Sequence, residues 1–304
     1  MVESLGSPLR ACVRLLIYGS FTFACMPLQA VAVLLGLDLR RSLPVWYHRR
    51  CCRILGIQVE RRGRRSRVMP TLYVSNHTSY LDITVLGSLI PGSFVAKAEV
   101  ARWPLFGWLA KLQRTVFIER RASRTGDHRS AITERLEQGD NLILFPEGTS
   151  DDGNRVLPFK SGLLAAAACE PQGQPLTVQP VTIGYTRLDG LPLGRHLRPL
   201  FAWYGDMDMA PHLWQLAGLG RLTVAVQFHP PVRLADFASR KALSEHCYRQ
   251  VSAGLSRALA GRPPPSRQEP SAQDEPAAQG EPAPQGEPAL QGEPAPQGKG
   301  VALA

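Results

Sequence analysis

The chain has only six cysteines (Cys12, Cys25, Cys51, Cys52, Cys169 and Cys247), and no two of them form a Cys-x-x-Cys pair. That absence argues against a zinc ribbon, a dithiol motif and a disulfide frame. Two lie in an apolar N-terminal segment and one closes an alanine-rich run, so they read as reduced, mostly buried small side chains with no metal site. No Gly-x-Ser-x-Gly elbow occurs, which weighs against a serine hydrolase. Gly218-Leu219-Gly220 is too short for a dinucleotide fingerprint, and no strand pattern precedes it. Acids are scarce where bases crowd: ten arginines lie from Arg40 to Arg67, with Glu60 the only acid among them. Nothing in that run resembles a nucleic-acid module, so the patch points to anionic surfaces or to a merely solvated basic loop, and no nucleic acid is expected as a partner.

The last stretch is poor in anything that builds a core. Residues 263–304 hold five near-copies of Glu-Pro-x-x-Gln-Gly, starting at Glu269, Glu275, Glu281, Glu287 and Glu293. Leu290 is the only large aliphatic side chain within the repeats. Such a tract buries too little to offset its chain entropy, and glycine every sixth residue is not a collagen period. It reads as a disordered tail. Its six acids and two bases mask the charge of the rest, which rises from +10 for the whole chain to +14 for residues 1–262.

At the other end, Leu15 to Leu37 runs without a charge, interrupted by Pro27 and Gln29. It is long enough to span a bilayer. Arginines flank both ends, so orientation is poorly specified. Trp46, Tyr47, Cys51, Ile54 and Leu55 then alternate with arginines, a pattern suited to an interface. The expected organisation is a membrane-associated segment at 1–42, one catalytic domain at 43–262 and the tail at 263–304.

Within that domain, apolar runs predict strands at 72–75, 93–97, 115–119, 142–145, 178–184 and 222–228. Helical patterns fall at 80–89, 99–113, 127–137, 161–169 and 234–259. The alternation implies an α/β domain with a largely parallel sheet covered on both faces. Residues 186–220 show no clear period.

Two polar stretches each follow an apolar run. In Asn76-His77-Thr78-Ser79-Tyr80-Leu81-Asp82, a histidine stands five residues before an aspartate where a strand ends and a helix starts. A carboxylate so placed can fix the imidazole tautomer; the plainer reading is a helix start with Thr78 or Ser79 as cap. In Leu144-Phe145-Pro146-Glu147-Gly148-Thr149-Ser150, proline and glycine frame one glutamate in a tight turn. Strand ends on one edge of such a sheet converge on a common crevice, where ligands bind.

Together with Thr115-Val116-Phe117-Ile118-Glu119-Arg120, Leu157-Pro158-Phe159-Lys160 and Val178-Gln179-Pro180-Val181, these stretches resemble the four ordered blocks of the glycerolipid-type (1-acylglycerol-3-phosphate acyltransferase-like) acyltransferases. The likeness covers roughly residues 40 to 235. It implies acyl transfer from a thioester to a lipid hydroxyl without a metal, a bound cofactor or a covalent acyl-enzyme. It also implies the acyltransferase fold, His77 and Asp82 as the catalytic pair, and Arg120, Glu147, Gly148, Thr149 and Lys160 in substrate binding. The donor it implies is an acyl carrier protein or coenzyme A thioester. The expected setting is the bacterial inner membrane, with the catalytic domain facing the cytoplasm; the resemblance suggests a helical pair that dips into one leaflet with Pro27 as a break, beside the spanning reading.

One departure bears on the acceptor. Members acting on lysophosphatidate usually carry arginine after Glu-Gly-Thr, where this chain has Ser150, then Asp151 and Asp152. A hydroxyl and two carboxylates favour an ammonium-bearing head group over a bare phosphate. That pattern, with Trp203-Tyr204-Gly205-Asp206-Met207, resembles the bacterial lyso-ornithine lipid O-acyltransferases. Lysophosphatidate remains the alternative acceptor. A lipid hydrolase using water, and a non-enzymatic lipid- or carrier-binding protein, are the rival classes.

Overall fold

The computed structural model describes residues 6–118 and 125–263. Arg120 and the repeats from Glu269 onward lie outside the described residues.

Helix α1 (Pro8–Leu34) begins with proline at its first position and Ser7 accepting the Arg10 N–H. Both suit a helix start, where the proline's missing N–H costs nothing. It runs through Pro27 and stops seven residues later, just before the turn at Gly36. There Gly36, at φ +67°, lets its N–H reach the Val33 carbonyl and the Leu37 N–H reach Ala32, a Schellman close. Helix α2 (Leu39–Ile54) returns antiparallel along it. Phe21 stacks on Tyr47, Thr22 shares a hydrogen bond with the Tyr47 hydroxyl, and Gln29 reaches the Arg40 carbonyl. The expected helical pair therefore exists, but its turn is at Gly36 and not at Pro27.

Among the described residues, nine strands form one sheet. They are β1 (Ile57–Arg62), β2 (Thr71–Ser75), β3 (Ser93–Lys97), β4 (Val116–Ile118), β5 (Leu142–Leu144), β6 (Thr177–Leu188), β7 (Leu191–Pro192), β8 (Leu222–Phe228) and β9 (Val232–Arg233). The main order is β1-β8-β6-β2-β5-β3-β4, with β7 and β9 added antiparallel to β6. From β6 to β4 the strands are parallel; β8 runs against β6, and β1 runs with β8. The largely parallel α/β sheet expected from the sequence is present. Its strands alternate between two buried faces. Tyr73 and Ile143 pack on one side with Val85, Leu86 and Phe201, and Leu72, Val74, Leu142 and Leu144 pack on the other with Leu164, Leu243 and Cys247. Burial on both faces explains why these strands read as unbroken apolar runs.

Between the strands lie α3 (Leu81–Gly87), α4 (Phe106–Leu112), α5 (Thr125–Glu137) and α6 (Met209–Gly218), and α7 (Arg240–Leu259) follows the last strand. The helix expected over 99–113 is divided. A 3-10 turn covers Ala98–Arg102, and α4 follows the break at Trp103-Pro104. Trp103 is extended, as the residue before a proline tends to be. The pattern at 234–259 likewise becomes a short 3-10 turn and then α7, capped by Ser239 accepting the Ala242 N–H. The 161–169 pattern is a 3-10 helix, Ser161–Ala168.

Candidate active site

Strand β2 delivers His77. Beyond Ser75 the chain leaves the sheet, and Asn76 replaces the missing ladder contacts. Its side chain donates to the Ile183 carbonyl at 2.8 Å and accepts the Ile183 N–H at 2.9 Å. That clip fixes where the next residue points. His77 is partly open, with 22% of its side chain exposed, while Asp82 is fully buried.

His77 Nδ1 lies 2.8 Å from Asp82 Oδ2. The same oxygen accepts the Thr78 and Ser79 N–H groups at 2.7 and 2.9 Å. The other oxygen accepts the Tyr185 hydroxyl at 2.6 Å. Asp82 thus both closes the turn into α3 and braces the imidazole; the helix starts after Tyr80 with no side-chain cap, so neither Thr78 nor Ser79 caps it. Burial, and after it the Asp82 charge, push the Tyr185 hydroxyl well above its usual pKa, so it stays a donor. Phe145 stacks on the imidazole at 4.1 Å between centroids, which leaves the ring one open face.

The second loop comes from the end of β5. Glu147 is only 2% exposed. Its carboxylate accepts the His77 N–H at 2.9 Å and the Leu157 N–H at 3.1 Å, so it ties three segments together. Burial raises its pKa to about 8, against the opposing pull of those two N–H groups, with Asp82 and Asp151 adding to the rise. Gly148 adopts φ +70°, and a Cβ there would stand 3.0 Å from Lys160 Nζ, so glycine is what lets the lysine lie across the turn. The Gly148 N–H is committed to the Phe145 carbonyl at 3.1 Å. Lys160 and Thr149 are exposed. Of the residues expected in substrate binding, four are therefore gathered beside His77, and Arg120 lies outside the described residues.

The acidic turn packs against the same loop. Asp151 N–H donates to the His77 carbonyl at 3.3 Å, and a Cβ on Gly153 would come within 3.0 Å of the Thr78 methyl. The Asp151 carboxylate pairs with Arg155 at 3.0 Å, while Asp152 is held by the Asn154 backbone and side chain. Trp203 donates its backbone N–H to the Thr78 carbonyl, and the Ser150 hydroxyl donates to the Trp203 carbonyl. Trp103 and Tyr80 meet Trp203 edge-on, forming an aromatic wall beside the loop.

Two contributors escaped sequence reasoning. Tyr185 falls just past the apolar run that marked its strand, and Trp103 sits where proline breaks a helix. Trp203 lies where no period is visible and entered only through the resemblance. Trp108 is 64% exposed on α4. A small apolar cavity of about 20 Å³ is lined by Leu55, Ile57, Leu81, Phe201, Leu216 and Leu222. Leu81 adjoins Asp82 in sequence, and Phe201 stacks on Tyr185. Among the described residues no cluster of metal-ligating side chains occurs. His212 and His229 are buried with hydrogen-bond partners, the latter on Thr182, and serve the core.

A family model described as Acyltransferase matches residues 56–184. A protein named lyso-ornithine lipid O-acyltransferase from Brucella abortus is 42% identical over 247 residues, covering 80% of this chain and 92% of the relative. One of the same name from Rhizobium meliloti is 42% identical, covering 78% of this chain and 82% of the relative. A 1-acyl-sn-glycerol-3-phosphate acyltransferase from Neisseria gonorrhoeae is 31% identical, covering 60% of this chain and 68% of the relative. In fold, the chain is similar to the crystal structure of the 1-acyl-sn-glycerophosphate acyltransferase of Thermotoga maritima. The TM-score is 0.60 at 22% identity, over 84% of this chain and 98% of that one.

Proposed function

The chain belongs to the acyltransferase family and is an O-acyltransferase acting on a lysolipid; from that premise we propose that it acylates the hydroxyl of lyso-ornithine lipid, with His77 as general base. The observation that carries the mechanism is the 2.8 Å contact from His77 Nδ1 to buried Asp82 beside an open ring face. With Nδ1 held by the carboxylate, Nε2 is the nitrogen left to meet substrate. The acceptor hydroxyl gives its proton to Nε2 as its oxygen attacks the thioester carbonyl. The tetrahedral intermediate then expels the thiolate, which recovers that proton from Nε2. Ester and thiol leave, and the imidazole is neutral again.

Acceptor choice rests on the turn after Gly148. Asp151 hangs from the His77 carbonyl, and its partner Arg155 is 75% exposed. An exposed pair of that kind is worth little, so an incoming ammonium can replace the guanidinium. Lys160 remains for the acceptor's carboxylate. Glu147, turned inward on two backbone N–H groups, positions the His77 loop, while Gly148, Thr149 and Lys160 face the acceptor; Arg120 is assigned to acceptor binding by the resemblance alone.

The enzyme works at a membrane surface. The outward face of α1 exposes Leu9, Leu16, Phe23 and Leu34, and Trp46, Trp108 and Trp214 are also exposed. Arg14 pins the start of α1 to the carbonyls of Ala217 and Leu219, and Gln29 pins its far end to Leu112. A helix fastened at both ends lies in one leaflet more readily than it crosses. The setting that fits is the cytoplasmic face of the bacterial inner membrane, with acyl carrier protein as donor, drawn by the arginines of residues 61–67.

Lipid analysis of a deletion strain tests the acceptor. Loss of ornithine lipid with accumulation of its lyso form is expected; normal ornithine lipid with altered phospholipid synthesis refutes it and favours lysophosphatidate.

A further inference from the structure

A second polar site sits on the opposite edge of the sheet, at the N-terminal ends of β3 and β5. Asp140, 4% exposed, is ringed by guanidinium groups. Arg41 meets Oδ1 through Nε and Nη2, both at 3.1 Å. Arg135 meets Oδ2 through Nε at 3.1 Å and Nη2 at 2.7 Å, and Arg114 meets the same oxygen. Three cations on one carboxylate leave an excess of two positive charges, and the carboxylate's lone pairs are used up. Arg114 holds a left-handed backbone, φ +61°, and Arg135 braces it through the Arg114 carbonyl.

Next to this cluster opens a pocket lined by Arg40, Arg41, Arg114, Gln113, Pro44 and Met69, with Asp140 its only acid. Arg40 adds a third excess charge and makes no contact with Asp140; its Nε is buried without a hydrogen-bond partner. A buried guanidinium N–H with nothing to meet, beside uncompensated cations, is a site short of an anion. The surroundings are apolar on one side: Leu34, Leu35 and Leu37, at the turn that brings Arg40 into place, are exposed, as is Met69.

We infer that this pocket, formed by Arg40, Arg41 and Arg114 around Asp140, is an anion site separate from the acyl-transfer centre, and that it holds the phosphate of an anionic membrane lipid. A planar fork of N–H donors matches phosphate oxygens, and the exposed leucines beside it suit the lipid's acyl chains. Free inorganic phosphate shares the recognised chemistry but would make no use of the apolar rim.

Vesicle binding by the full-length protein tests this, with phosphatidylcholine vesicles compared against the same vesicles carrying about 20% phosphatidylglycerol, an anionic fraction that creates a negative surface potential. The wild type should prefer the anionic vesicles. Arg40→Gln leaves the Asp140 cluster intact, and should reduce that preference about tenfold, the worth of one charge-assisted hydrogen bond. Arg61→Gln removes the same charge from an exposed site outside the pocket, and should change it by less than about twofold at physiological salt. Melting temperature should be the same for both variants. Equal losses in the two variants, or no anionic preference in the wild type, overturn the site. Inorganic phosphate that competes fully with the vesicles, and binds wild type but not Arg40→Gln, upholds the anion site and overturns the lipid assignment. The result is independent of the acceptor, because His77→Ala should keep the full vesicle preference.

Discussion

Asp82 and Asp140 are both buried aspartates at strand edges, yet they are satisfied by different kinds of donor. Asp82 receives two backbone N–H groups, one tyrosine hydroxyl and one imidazole. Asp140 receives three arginines. Neutral donors stabilise a carboxylate without cancelling its charge, so the charge of Asp82 is left to act on His77. Guanidinium groups overcompensate, so Asp140 organises a positively charged pocket. In the functions proposed here, the same residue type would support proton transfer at one edge and anion binding at the other, and the difference would lie in its partners.

Substitution at the two aspartates should separate activity from stability. Asp82→Asn keeps the shape but loses the charge and the acceptor that fix the imidazole tautomer. Turnover should fall by about a thousandfold, read as initial rate of ester formation. Asp140→Asn should leave turnover per folded molecule near wild type and lower stability by about 3 kcal/mol, read by denaturant unfolding, because three arginines lose their counter-charge. A large rate loss in Asp140→Asn at full folding would break the comparison.

Tyr185→Phe probes the neutral donors of Asp82. Removing one hydrogen bond to a buried charge should lower turnover about tenfold, read as initial rate of ester formation. An unchanged rate would make Tyr185 merely structural. Glu147 gives the smallest effect, a slope. Its folded pKa of about 8 lies above its ordinary value, so the folded chain binds more protons than the unfolded one between about pH 4.5 and 8. Stability should therefore fall as pH rises through that window. Glu147→Gln, although less stable overall, should lose that slope in thermal melts.

Much of the fold was legible because buried parallel strands leave a simple mark. β2, β3, β5 and β8 lie within a residue or so of the apolar runs that predicted them, and the polar stretch after β2 announced His77 and Asp82. β1 was hidden because its exposed arginines break the pattern that Ile57 and Val59 make. α1 was read as interrupted at Pro27, yet a proline inside an otherwise favourable run costs one hydrogen bond and a bend, while the true stop needed the left-handed Gly36. The site was half legible. Spacing along the chain places His77 and Asp82 five residues apart, but Tyr185, 103 residues beyond Asp82, reaches it only through the pairing of β2 with β6. Sequence alone has no measure for that register.

The most direct measurement compares His77→Ala with wild type in transfer from acyl carrier protein thioester to lyso-ornithine lipid, with ester and free fatty acid both quantified. The account predicts a fall in ester formation of about a thousandfold or more, within the range of a lost general base, in a protein that still folds and binds vesicles. Ester formation at the wild-type rate in that variant would contradict it.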